Sequence, residues 1–122
     1  MLLLDTHILV WLVARDKRLT QQQIDAVTDP DNLLFVSAVI AYEYTHLHNS
    51  DRLPIEETLT DLQRILGFEI INLPANSWQA IDTMPMIHRD PIDRMLIGHA
   101  LTEDMTVITA DHHIKQYPVQ VI

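Results

Sequence analysis

Four carboxylates interrupt apolar stretches of this chain. Asp5 closes Leu2-Leu3-Leu4, Glu43 lies within Ala38–Leu47, Asp93 lies within His88–Ala100, and Asp111 closes Val107-Ile108-Thr109-Ala110. Isolated carboxylates are costly to bury, and several brought together repel one another unless a cation neutralises them. If the fold makes these four converge, the chain holds a divalent-metal site. An all-carboxylate set selects hard cations, Mg2+ or Mn2+. Such cations activate water and clamp the attacking and leaving oxygens of an in-line displacement, ~3.5–4 Å apart when there are two. That chemistry is a nuclease's, and it requires neither a covalent nucleophile nor a histidine base.

Each acid also has a structural reading. Aspartate ahead of a helix is a preferred cap worth about 1 kcal/mol, which suits Asp5, and Asp111 after a strand suits a cap or turn. Asp90 precedes Pro91, so Asp90 reads as N-cap, Pro91 as N1 and Asp93 as N3, where the helix dipole favours a negative charge. Asp93 nevertheless shares an edge with Leu96 and Ile97. Glu43 is hardest to explain structurally, because Ile40 and Leu47 place it on an apolar helix face.

The elements that must position these groups are short. Apolar runs predict strands at Leu2–Leu4, Leu33–Val36, Phe68–Asn72 and Thr106–Thr109, with a short edge strand at Val119–Ile122. Helices are expected over Ile8–Ala14, Gln21–Thr28 behind Thr20, and Ala38–Asn49 behind Ser37. Further helices are expected from Pro54 to about Leu66, from Asn76 or Ser77 to before Pro85, and from Asp90-Pro91 to about Glu103. Strands alternating with helices describe an α/β layer fold with a parallel sheet, whose ligands gather beyond the strands' carboxyl ends. Asp5 and Asp111 each lie at such an end, as does Ser37, with Glu43 less than two turns into the helix Ser37 starts.

Length and composition fit one domain, 1–122, with 48% hydrophobic and 20% charged residues, able to bury roughly two-thirds of its unfolded surface. No cysteine is present, which excludes disulfides, thiolate sites and cysteine nucleophiles and fits a reducing cytoplasm. The apolar N-terminus lacks a basic lead, and Ile8–Ala14 is far too short to span a bilayer. No signal peptide or membrane segment is expected. The net charge of −9, eight basic against 17 acidic residues, runs against the usual basic footprint of nucleic-acid binding. Two divalent cations would cancel the four site acids, so weak non-specific RNA affinity is expected rather than none.

Zinc is not expected from the histidines. His46 and His48 are two apart on a helix and His112 and His113 are adjacent, so neither pair shares a face. His7, beside Asp5, suits a role in orienting water or contacting phosphate, or that of a hydrogen-bonded neighbour. Trp11 and the methionines Met84, Met86 and Met95 read as core or interface, and Tyr42 and Tyr44 point to different helix faces.

Taken together, Leu3-Leu4-Asp5-Thr6-His7, Val36-Ser37 through Tyr42-Glu43, His88-Arg89-Asp90-Pro91-Ile92-Asp93-Arg94-Met95-Leu96-Ile97 and Val107-Ile108-Thr109-Ala110-Asp111 resemble the PIN domain. More narrowly, they resemble the VapC-type toxins of prokaryotic type II toxin–antitoxin pairs. The resemblance spans residues 2 to about 117. It implies a three-layer PIN-like fold, with a central parallel sheet of 4–5 short strands flanked by helices. It also implies an endoribonuclease dependent on Mg2+ or Mn2+ that leaves a 5′-phosphate and a 3′-hydroxyl. By motif position, Asp5, Glu43 and Asp93 would be the central catalytic metal ligands and Asp111 the fourth acid. Thr6, Ser37 and Thr109 would hydrogen-bond ligands or waters, with Asp90 mainly a cap. Ile40 replaces a common second serine and Tyr42 a frequent tryptophan, which touches fine positioning only.

The resemblance further implies a homodimer held inactive by a small VapB-type antitoxin. RNA contact then falls to Arg89 and Arg94, which flank the motif, and to the basic cluster Arg15/Lys17/Arg18, although solvated surface charge explains any one of them as well. Within the nuclease class, RNA maturation or DNA processing are alternatives. Outside it, a receiver-type phosphoacceptor would want paired acids after the first strand and a lysine after the last, where this chain offers Asp5 alone and Lys115. A non-catalytic binding module would not need all four acids.

Overall fold

Leu2, Leu3 and Leu4 form β1 and are all buried. Successive side chains of a strand face opposite ways, so a wholly buried strand needs cover on both faces. The computed structural model, which describes residues 1–122, supplies that cover with helices on a four-stranded parallel sheet. The other strands are β2 (Leu34–Ser37), β3 (Glu69–Ile71) and β4 (Thr106–Ile108), in the order β3-β2-β1-β4. Leu2 pairs with Leu34 on one side and with Thr106 on the other. The chain therefore winds outward from β1 through β2 to β3, then returns to pair β4 on β1's opposite edge. The β1/β4 boundary is the topological switch point, where ligand crevices form in such sheets.

Six helices connect the strands: α1 (Thr6–Ala14), α2 (Gln21–Thr28), α3 (Ala38–Asn49), α4 (Leu59–Leu66), α5 (Ser77–Asp82) and α6 (Pro91–Glu103). Their starts follow local chemistry. Asp5 accepts from the Ile8 N–H to cap α1, and Thr20 with Gln23 forms a capping box on α2. Asp90 accepts from the N–H groups of Ile92 and Asp93 and puts Pro91 in the first turn of α6. One continuous core joins β1, β2 and β4 to Ile8, Leu9, Ile40, Tyr44, Leu96 and Ile97. Gly98 lets α5 lie against α6, since a Cβ there would meet Ile81 Cγ1 at 2.7 Å.

The structure corrects two expected elements. The helix expected from Pro54 begins at Leu59, because Thr58 and Asp61 form the capping box that nucleates it; residues 54–58 are irregular. The expected edge strand at Val119–Ile122 is reduced to one parallel bridge, Val121 to Val107. Its backbone still pairs with β4, through Val107 N–H to Gln120 O and Ile122 N–H to Val107 O, but Pro118 and the preceding turn leave no length for a ladder.

Candidate active site

Asp5, Asp93 and Asp111 line one open cleft of about 320 Å³, together with His7, Trp11, Arg18 and Ala110. The cleft sits at the carboxyl ends of β1 and β4, as the switch point requires. Asp5 leaves β1 with one oxygen committed to the α1 cap, while the other accepts a hydrogen bond from the Thr109 hydroxyl beyond β4. Thr109 Oγ1 in turn accepts from the Asp111 N–H at 3.0 Å. A single threonine thus fixes the Asp5 and Asp111 positions relative to each other.

Glu43 reaches the site from α3. Its Oε1 accepts from the Thr6 hydroxyl at 2.6 Å, which joins the first residue of α1 to α3. Glu43 does not line the cleft wall, but its charge acts on Asp93. Burial, and then the charge of Asp90, push the Asp93 carboxyl up to about 7, with Glu43 and Asp111 adding to the effect and His88 opposing it. Burial also raises Asp5, against the hydrogen bonds from Thr109 and Ile8. Partial burial works the same way on Asp111, but it is outweighed by hydrogen bonds from the His113 N–H and His88, which hold this acid below the usual range.

His88 carries no individual signal in the sequence, and it lies at the centre of the cluster. Its Nε2 is 2.9 Å from Asp93 Oδ2 and 2.8 Å from Asp111 Oδ2. Its Nδ1 accepts from the Asp90 N–H at 3.1 Å, so the ring proton lies on Nε2, between the two carboxylates. His113 Nδ1 stands 3.2 Å from Asp111 Oδ1, giving His88, Asp111 and His113 donor atoms within 4.8 Å of one another. With its proton on Nε2, His88 donates to the Asp93 and Asp111 carboxylates. Only its place at the head of the His88–Leu96 motif hints at this; its role depends on residues five and 23 positions away.

Two expected roles are corrected. Arg94 is buried, and its guanidinium donates to the carbonyls of Pro85 at 3.1 Å, Ile81 at 3.2 Å and His88 at 3.4 Å. It clamps the loop that carries His88, with Tyr117 donating to Pro85 O and accepting from the His88 N–H, and is not free to meet RNA. Ser37 is fully buried, caps α3 through Val39 and lies 2.9 Å from His99 Nδ1. It therefore positions α3 from within the core instead of facing the cleft. Arg89 remains exposed, and Asp90 is the α6 cap. Gln23 also escapes a sequence reading: buried, it donates from Nε2 to Thr109 O and Ile122 O and so ties α2 to the β4 end.

The donors suit a hard divalent cation. They are carboxylate oxygens; burial first, and neighbouring negative charge after it, raise the pKa values of Asp5 and Asp93, and a dication would offset both costs.

The family profile described as PIN domain matches residues 2–120. No curated protein matches the sequence. Among solved structures, the fold is similar to a chain of VapBC2 from Rickettsia felis bound to a DNA fragment from their promoter. That match has TM-score 0.74 and 16% identity, covering 99% of this chain and 96% of that one. DNA-bound VapBC from Salmonella typhimurium is similar at TM-score 0.67 and 13% identity, covering 99% of this chain and 96% of that one. FitAB bound to an IR36 DNA fragment is similar at TM-score 0.67 and 18% identity, covering 100% of this chain and 94% of that one.

Proposed function

The chain belongs to the PIN domain family, and from that premise we propose that it is an Mg2+- or Mn2+-dependent endoribonuclease, the toxin of a toxin–antitoxin pair. The observation that carries the reading is the convergence of Asp5, Asp93 and Asp111 on one cleft, with Glu43 acting on Asp93 from α3. Asp5, Glu43 and Asp93 would hold the cation, with Asp111 as the fourth acid. The bound cation would supply the Lewis acidity that activates water and offsets charge developing on a phosphodiester.

The chain's own groups hold the reacting parts in register. Thr6 aims Glu43, Thr109 aims Asp5, and Asp90 with the α6 N-terminus fixes Asp93. In the proposed reaction, water oxygen bonds to phosphorus as the bond from phosphorus to O3′ breaks. A proton passes to O3′, leaving a 5′-phosphate and a 3′-hydroxyl.

The likeness to chains of VapBC and FitAB supports a small antitoxin as partner. A homodimer is part of the same proposal; Trp78, Met86 and Ile65 are exposed apolar side chains. No helix is long and apolar enough to cross a membrane. The proposal is tested by incubating purified protein with single-stranded RNA and with DNA of the same sequence, with Mg2+, Mn2+ or chelator, and mapping the product ends. RNA cut only with metal and bearing 5′-phosphates is the expected outcome. Cleavage of DNA alone would transfer the site to DNA processing.

A further inference from the structure

The acidic cleft does not end at Ala110. Trp11, Arg18 and Ala110 are a common wall between it and a second groove of about 310 Å³, lined also by Thr20, Gln23, His112 and Lys115. The chain has 17 acidic residues against eight Lys and Arg, yet no carboxylate lines this groove and two of those cations do. We propose that this groove binds the sugar-phosphate backbone of single-stranded RNA on one side of the scissile phosphate. This inference rests on the ribonuclease reading and assigns that enzyme's substrate contacts.

The groove is built rather than incidental. Arg18 donates from Nε and Nη2 to Asp16, at 3.0 and 2.8 Å, and its guanidinium lies 4.4 Å over the Trp11 ring. The side chain is thereby held across the wall, with Nη1 left for an anion, and Asp16 stands outside the lining. Gln23 forms a fixed floor: its Oε1 accepts from the Thr20 N–H while its Nε2 holds the β4 end. Lys115 and His112 are exposed on the opposite segment. Trp11 is buried and serves as the shelf for Arg18 rather than as a stacking surface for bases. An overall negative protein that handles a polyanion needs a local path of this kind, in which backbone contacts give affinity and strong salt dependence without reading sequence.

The test is the rate of RNA oligonucleotide cleavage in Mn2+ across a range of KCl concentrations, for wild type, Arg18→Ala, Lys115→Ala and the double variant. Arg64→Ala, which removes an exposed cation from α4 far along the chain, controls for net charge. The double variant is expected to raise KM about tenfold, with kcat within about twofold. The slope of log(kcat/KM) against log[salt] should flatten by about 0.7 for each phosphate that the variant no longer neutralises. A double variant with the wild-type KM and slope would overturn the groove while leaving the nuclease standing, as would an Arg64→Ala effect of equal size. A wild type that cuts no RNA would overturn both.

Discussion

The Thr6 hydroxyl donates to Glu43 Oε1 at 2.6 Å across 37 positions of sequence. The hydrogen bond gives a half-buried glutamate on α3 a fixed bearing on Asp5, the residue just before Thr6. It also explains why Glu43 interrupts a helix face carrying the buried Ile40.

Removal of that hydroxyl should loosen the cation site without unfolding the protein. Groups that orient metal ligands typically contribute about 10–100-fold to metal affinity. Thr6→Val is therefore expected to weaken Mn2+ binding by about tenfold or more in calorimetric titration, with a drop of about 1 kcal/mol in urea unfolding. Undiminished affinity would mean that Glu43 needs no support from α1.

His88 and a cation compete for the same carboxylate lone pairs on Asp93 and Asp111. His88→Ala should lower the stability of chelator-treated protein by about 1–2 kcal/mol and tighten Mg2+ binding severalfold. Weaker binding in the variant would instead make His88 a support of the metal site.

Crowded acids should also make the fold respond to metal. Mg2+ at a hundred times its Kd is expected to stabilise by about 2.7 kcal/mol, a Tm rise of roughly 8–13 °C for a domain of this size. Asp93→Asn should abolish most of that rise. It should also melt no lower than wild type in chelator, because it removes a charge that burial, Asp90, Glu43 and Asp111 together disfavour more than His88 favours it. An equal Mg2+ response in wild type and variant would argue against Asp93 as a ligand.

The site's frame is legible in the sequence wherever chemistry and local pattern coincide. Asp5 and Asp111 follow short apolar strands, so the carboxyl-edge rule for parallel sheets locates them from sequence. Glu43 is legible because charge on an apolar face is unusual. Arg94 is not, because its role depends on the carbonyls of Ile81, Pro85 and His88, whose approach no sequence spacing announces. Pro54 misleads because a proline suits a first helical turn anywhere, whereas Thr58 and Asp61 close a reciprocal cap. The histidines pair misleadingly by proximity in sequence, yet His88 meets His113 with ring centroids 5.3 Å apart through a loop that only the tertiary fold returns.

His99 gives a prediction on pH. It is fully buried beside Ser37 with Nε2 unpartnered, and burial lowers its pKa below the ordinary 6.5, with Glu103 opposing. The unfolded chain therefore binds this proton more readily than the folded one. The stability tied to neutral His99 is complete above about pH 6.5 and falls as pH drops toward the folded-state value. Urea midpoints at pH 7.5, 6 and 5 should fall more steeply for wild type than for His99→Gln. Parallel profiles would show that His99 is protonated equally in both states.

Asp5→Asn tests the central claim most directly, because asparagine keeps the α1 cap while removing the charge that would hold the cation. RNA cleavage by wild type and variant is measured at equal concentrations, in Mg2+, Mn2+ and chelator, with melting curves confirming that both are folded. The expected result is metal-dependent hydrolysis by wild type and a decrease of at least about 100-fold in the variant, the scale of removing one electrostatic stabiliser of a transition state. Equal cleavage by the two proteins, or cleavage indifferent to chelator, would contradict the carboxylate-held metal site.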